Sequence, residues 1–153
     1  MSSRIQQLLA APSESGIAAL RESRLEPGVM ALSADVGFYA KVLSAANPFG
    51  WRTVWARWLE RAIDVYKPGS TPIIVYDVSL PGTDWIRAFD RLCTLPGNPR
   101  ILLASVRVDE EVWRIVLQRH GYDVVPRSSS PEELMRALHF AWLSLQPRAA
   151  SAF

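Results

Sequence analysis

The stretch IIVYDVSLPGTD, residues 73–84, decides the fold of this 153-residue chain. Four apolar, β-prone residues come first, and Asp77 follows them directly, with the Pro81-Gly82 pair close behind. A continuous apolar run bounded by turn residues is typical of a strand buried on both faces, as in a parallel sheet. Asp77 is therefore predicted at the carboxyl end of a strand, the edge of an open α/β sheet where ligands bind. The alternative is that Asp77 only begins a turn, a common role of aspartate.

Four other apolar runs resemble this one, and a segment with helical spacing follows each of the five. Strands are predicted at 29–33, 52–56, 73–76, 101–104 and 124–125. Helix starts are marked by Asp84, by the acids at 109–111, and by Ser130 with Glu133, which together form a capping box. Five strand–helix units indicate a parallel sheet with helices on both faces. The strand order 2-1-3-4-5 is one that right-handed crossovers allow.

The predicted sheet occupies a single domain at 29–146, which is long enough to bury a sizeable core. Residues 1–28 are predicted as an N-terminal helical extension, with short amphipathic helices broken near Pro12, and residues 147–153 as a flexible tail. Packing on the domain, dimerisation and partial disorder all remain open for the extension.

Composition excludes several classes of function. Hydrophobic residues make up 49% and charged residues 21%, as in ordinary globular proteins. The net charge is only +2 and no basic cluster is present, which argues against a nucleic-acid partner. Cys93 is the only cysteine, so an internal disulfide is excluded and a reducing, cytoplasmic setting is expected. No apolar run is long enough for a membrane span, and P-loop, G-x-S-x-G and G-x-G-x-x-G motifs are absent.

The predicted strand order brings polar residues together. The switch point of this strand order lies between strands one and three. It places Asp35, which follows strand one, beside Asp77 at the end of strand three. Ser105 ends the neighbouring strand four and borders the same crevice. Two carboxylates and a hydroxyl are therefore expected at one edge of the sheet.

With this set in place, residues 29–145 resemble a response-regulator receiver domain of the CheY-like kind. Besides Asp35 and Ser105, the resemblance rests on Asp77 with Pro81 four residues on and Asp84 seven residues on. It implies a flavodoxin-like (βα)5 three-layer sandwich with Asp77 as phosphoacceptor and Ser105 as a phosphoryl contact. It also implies a Mg²⁺ site formed by Asp35, Asp77 and the backbone carbonyl of Ser79, a weakened site in view of the departures described next.

Three positions depart from the receiver pattern. Ala34 stands where the family has a second acid, Pro126 where it has a lysine, and Asp123 where it has an aromatic residue. Arg127 follows Pro126 and is a candidate substitute for the lysine, although guanidinium and ammonium groups are not interchangeable. The resemblance is therefore to an atypical receiver or pseudo-receiver, and a stand-alone one because the chain ends soon after the fifth helix.

Two functions follow from the resemblance. In the first, Asp77 accepts a phosphoryl group from a histidine kinase or phosphotransfer protein in a two-component pathway, and output passes to a downstream protein by contact. The protein would then be no enzyme beyond Mg²⁺-dependent self-phosphorylation. In the second, the chain is a phosphorylation-independent interaction scaffold that uses helix four, helix five or the N-terminal extension. A homodimer is compatible with both, and neither requires a membrane.

Overall fold

The computed structural model describes residues 28–82 and 84–146. Within them, five strands alternate with five helices, as predicted. The strands are β1 (Gly28–Leu32), β2 (Arg52–Ala56), β3 (Ile73–Asp77), β4 (Arg100–Ser105) and β5 (Asp123–Pro126). The helices are α1 (Val36–Ala46), α2 (Leu59–Val65), α3 (Trp85–Cys93), α4 (Glu110–Gln118) and α5 (Pro131–Leu145), and a 3-10 turn (Asn47–Phe49) follows α1.

The strands form one sheet in the order β2-β1-β3-β4-β5, and every neighbouring pair is parallel. The predicted order is therefore confirmed. Asp77 lies in register with Ala104, and Ser105 with Pro126, so the ends of β3, β4 and β5 meet at one edge. The predicted extension and tail lie outside the described residues, except that Gly28 is the first residue of β1.

Alternation along the strands divides the core into two apolar layers. Residues such as Ile73 and Val75 pack with Phe38 of α1 and Leu138 of α5. Their neighbours on the opposite face pack against α2, α3 and α4, where Phe89 is fully buried. Each such side chain contributes about 1.5–3 kcal/mol on burial, so the two layers fix the register and orientation of the sheet.

Helix termini follow the predicted capping residues. Asp84 accepts a hydrogen bond from the backbone N–H of Ile86 at 3.0 Å, and Ser130 and Glu133 form both bonds of the capping box. Helix α4 ends at Gln118. His120 adopts a left-handed backbone (φ 64°), and Gly121 packs so closely on Phe89 that a Cβ atom would lie 2.3 Å from the ring. The turn after the helix therefore requires glycine at residue 121.

Tryptophan side chains cover the β2 edge of the sheet. The Trp55 ring stacks on Tyr39 with centroids 4.6 Å apart, and its indole N–H donates to the carbonyl of Ser33 at 2.8 Å. Trp51 stacks on Phe49. Trp58 differs, because 57% of it is exposed.

Candidate functional site

The carboxyl edge of the sheet brings Asp35, Asp77 and Arg127 into direct contact, and we call these three residues the aspartate–arginine cluster. Arg127 Nε lies 2.9 Å from Asp77 Oδ1, and Nη2 lies 3.1 Å from Asp77 Oδ2. The same Nη2 lies 2.6 Å from Asp35 Oδ2. One guanidinium therefore bridges both carboxylates, and it holds Asp77 through two parallel bonds, the strongest geometry for this pair.

Asp77 has its hydrogen-bonding capacity filled. Its Oδ1 accepts from Arg127 Nε and from the backbone N–H of Ser79 at 2.9 Å. Its Oδ2 accepts from Arg127 Nη2 and from the hydroxyl of Ser33 at 2.7 Å. A carboxylate offers about four acceptor positions, and four donors converge on this one. Since only 1% of Asp77 is exposed, its oxygens are also shielded from water.

These contacts keep Asp77 ionised. Burial is the largest single influence on its carboxyl and by itself raises the pKa. The hydrogen bonds from Arg127, Ser33 and the Ser79 N–H outweigh burial, so the pKa of Asp77 lies below its ordinary value. The bonds to Asp77 and then to Asp35 raise the pKa of Arg127. All three members of the aspartate–arginine cluster are therefore charged at neutral pH.

Asp35 serves the cluster and its own helix together. Its Oδ1 accepts from the backbone N–H of Gly37 at 2.8 Å as the N-cap of α1, which leaves Oδ2 for Arg127. The Arg127 hydrogen bond, followed by that of Gly37, lowers the pKa of Asp35. Because its side chain is 48% exposed, Asp35 forms the solvent-facing side of the cluster.

The position of Arg127 is fixed through its backbone as well as its side chain. Its N–H donates to the carbonyl of Ser105 at 2.8 Å, and its carbonyl accepts from Nζ of Lys41 at 2.7 Å. The guanidinium carbon lies 5.5 Å from the centroid of the Phe38 ring. The loop after β5 is thus tied to the end of β4 and to α1, and the guanidinium is preorganised over Asp77.

Ser105 lies at the same edge, but its hydroxyl bonds to the backbone of Arg107 and not to Asp77. Its hydroxyl donates to the carbonyl of Arg107 at 2.7 Å and accepts from the Arg107 N–H at 3.2 Å. Only its backbone carbonyl reaches the cluster, through the N–H of Arg127. The predicted phosphoryl contact therefore stays a prediction. In this arrangement the hydroxyl stabilises the loop that follows β4.

The residues expected to bind Mg²⁺ do not fit the ion in this arrangement. Each Asp77 oxygen already carries two hydrogen bonds, and the second oxygen of Asp35 is bound to the guanidinium. Ser79 contacts Asp77 through its N–H, and Ala34 offers no carboxylate. Across 28–82 and 84–146, no group of three or more His, Cys, Asp or Glu side chains is placed to hold a metal.

Sequence reasoning missed two members of the site. Ser33 is fully buried, and its Oγ both donates to Asp77 and accepts from the N–H of Asp35 at 3.0 Å. Its place at the end of β1 was a usable indication, because the same edge rule had selected Asp35. Lys41 had no such indication, since its contact with the Arg127 carbonyl spans 86 residues of sequence.

Comparison with solved structures identifies the architecture. The receiver domain of HemR from Leptospira biflexa superposes with a TM-score of 0.70 at 15% identity, covering 80% of this chain and 98% of that one. CheY4 of Vibrio cholerae gives 0.68 at 14% identity, covering 75% and 98%. The receiver domain of the Francisella response regulator 1452 gives 0.67 at 18% identity, covering 78% and 99%. The chain therefore has the receiver-domain fold, as its sequence predicted.

The likeness is one of fold at low sequence identity. No protein-family model matches the chain, and no curated protein matches it. Within the described part of the chain, none of the helices has the length and apolar character that crossing a membrane requires.

Proposed function

We propose that this chain is a receiver-fold signalling module that acts by protein–protein contact and does not depend on phosphorylation of Asp77. The observation that carries the proposal is the saturation of Asp77 by four donors at a position with 1% exposure. A phosphoryl acceptor must present an oxygen to the incoming group. Here each oxygen would first have to lose a hydrogen bond to Arg127, Ser33 or Ser79.

Exposed apolar side chains on α4 and α5 support an output by contact. Leu117 on α4 is 62% exposed and lies with Val108 and Trp113 along a shallow groove. On α5, Phe140 is 61% and Leu143 is 49% exposed. Apolar side chains that line a groove together, as on α4, indicate an interaction surface more strongly than exposed apolar residues that stand alone. The expected setting is the cytoplasm, and the partner is a protein.

Phosphodonor treatment tests the first half of the proposal. The full chain is incubated with acetyl phosphate and MgCl2, beside a conventional receiver domain, and intact masses are recorded. We expect a phosphoryl adduct on the conventional receiver and none on this chain. An adduct that disappears in Asp77→Asn would overturn phosphorylation independence and assign the group to Asp77.

Surface substitution tests the second half. Leu117→Asp on α4 is compared with Leu43→Asp on α1, a matched control because Leu43 is also exposed, at 43%. Both variants should melt like the wild type, since neither side chain is in the core. In cells that encode the protein, we expect Leu117→Asp to abolish recovery of the partners and Leu43→Asp to leave it intact. Equal recovery with both variants would exclude α4 as the contact surface.

A second function is supported by one observation, namely that Asp77 ends β3 as an ionised carboxylate beside a permanent cation. In this function, Asp77 attacks the phosphorus of a phosphohistidine on a kinase or phosphotransfer protein, and the bond from phosphorus to histidine breaks. Arg127 would neutralise charge on the transferred group. The mass experiment above separates the two functions, because only this one requires an adduct at Asp77.

A further inference from the structure

We infer that Arg127 is an internal cation that occupies the place of both a metal ion and a lysine in this site, so that Mg²⁺ is excluded by the chain itself. The inference deepens the proposed function, on which it rests.

All four oxygens of the two carboxylates already accept hydrogen bonds. Of their four oxygens, three accept from Arg127, and the fourth, Oδ1 of Asp35, caps α1 through Gly37. Octahedral Mg²⁺ needs oxygen ligands from the protein and holds water at its remaining positions. Each ligand gained from this pair would require a guanidinium bond or the helix cap to break.

The guanidinium also halves the negative charge that a divalent ion would meet at this site. Asp35 and Asp77 bring two negative charges and Arg127 one positive charge, so the cluster carries one net negative charge. Ala34 withholds the third carboxylate that would favour a divalent ion. A dication near the guanidinium would be repelled, most strongly on the buried side of the site where Asp77 lies. The folded chain therefore compensates one of its two acid charges internally.

Arg127 is anchored by more than its bonds to the two carboxylates. Three further contacts hold it: its N–H donates to the Ser105 carbonyl, its carbonyl accepts from the Lys41 ammonium, and its guanidinium lies over the Phe38 ring. Only 26% of the Arg127 side chain is exposed. Displacing Arg127 from the carboxylates therefore requires more than breaking one surface ion pair.

Metal titration of Arg127 variants tests the inference. Arg127→Met retains the length and apolar stem of the arginine but removes the cation, and Arg119→Met is the matched control because Arg119 pairs with Asp90 away from the site. Melting temperatures are followed against MgCl2 and against NaCl of equal ionic strength. We expect no Mg²⁺-specific shift for the wild type and Arg119→Met. For Arg127→Met we expect a saturable rise of about 4 °C at ten times the dissociation constant.

Two results would overturn the inference. Saturable Mg²⁺ binding by the wild type would show that Arg127 excludes nothing. A folded Arg127→Met without any Mg²⁺ response would overturn it as well. A response that appears only after Ala34→Asp is added would show that the missing ligand and not the arginine determines the site, and no response even then would show that neither residue does. If Arg127→Met does not fold, Arg127→Gln in the Ala34→Asp background is titrated instead, under the same two criteria. Failure of these titrations leaves the Leu117 and phosphodonor experiments untouched, so the inference and the proposed function can fail separately.

Discussion

Asp77 and Asp123 lie in the same sheet, and their pKa values are shifted in opposite directions. Asp77 ends β3 and is held by Arg127, Ser33 and the Ser79 N–H, and its pKa is lowered. Asp123 begins β5 half-buried, accepts a hydrogen bond from the N–H of Val124 at 2.8 Å, and forms no ion pair among the described residues. Burial raises the pKa of Asp123 above its ordinary value.

The difference between them shows what the guanidinium does. Burial opposes ionisation at both aspartates, and at both it is the largest influence. Only Asp77 accepts hydrogen bonds from a cation and a hydroxyl group, and only there is the pKa lowered in spite of burial. Arg127 is the largest of these lowering influences and is therefore the main reason that the buried carboxylate stays ionised.

Removing the cation should have the largest effect. Arg127→Met leaves Asp77 buried and unpaired, so we expect a loss of about 3 kcal/mol in the free energy of unfolding at pH 7. Arg119→Met removes a pair whose aspartate, Asp90, is half exposed instead of buried, and should cost less, about 1 kcal/mol. Urea unfolding followed by tryptophan fluorescence measures both. Equal losses in the two variants would contradict a special role for Arg127.

The pH dependence of stability should change sign with the same substitution. In the wild type the folded pKa of Asp77 lies below its unfolded value, so its stabilisation is complete above about pH 4 and is lost as the pH falls through the folded pKa. In Arg127→Met, burial dominates and raises the folded pKa. Asp77 then stabilises the fold in its protonated form and loses this contribution as the pH rises. Unfolding free energies measured from about pH 3 to pH 7 distinguish the two slopes.

Asp123 should respond in the opposite direction to Asp77. Its raised pKa means that the charged form is disfavoured in the folded state, so its contribution is lost as the pH rises through the folded pKa. Asp123→Asn keeps a side-chain oxygen for the Val124 N–H and removes the charge. We expect a gain of about 0.5–1 kcal/mol at pH 7 and none in acid. A loss of stability at pH 7 would point to a cationic partner for Asp123.

Tyr76, next to Asp77, should give the smallest effect. The residue is fully buried, its hydroxyl has no hydrogen-bond partner among the described residues, and burial, with Asp77 and Asp84, raises its pKa to about 12. Tyr76→Phe removes an unpaired polar group, so we expect stability to stay level or to rise by about 0.5 kcal/mol. Thermal unfolding provides the measurement. A clear loss would mean that the hydroxyl is bonded in solution.

The sequence predicted the sheet and the edge at which the site lies, because both follow from local patterns. The run at 73–76 and the Pro81-Gly82 turn identify β3, and the strand order brings Asp35 and Asp77 together. The roles of individual side chains were harder, since Ser105 turns into its own loop while Ser33 reaches Asp77. Such choices depend on rotamers and on distant contacts, and no local pattern encodes them.

Arg127 shows how far local sequence patterns predict this site. Its position next to Pro126, where receivers have a lysine, identified it as a candidate partner of Asp77. The bridge to Asp35 and the support from Lys41 were not predictable, because they require α1 and the loop after β5 to be placed to within an ångström. Sequence thus identified Asp35, Asp77 and Arg127, but neither Ser33 nor the bonds that saturate Asp77.

The saturation of Asp77 also has a consequence for heredity. Replacing Arg127 alone leaves the charge of Asp77 unpaired at an almost wholly buried position, whereas Arg127 keeps its pair with Asp35 when Asp77 is replaced. Loss of the arginine while the aspartate remains is thus the disfavoured single replacement. Folding alone is therefore a sufficient reason to retain the arginine wherever the aspartate is present. In related sequences, an aspartate here accompanied by this arginine is not by itself evidence of phosphorylation.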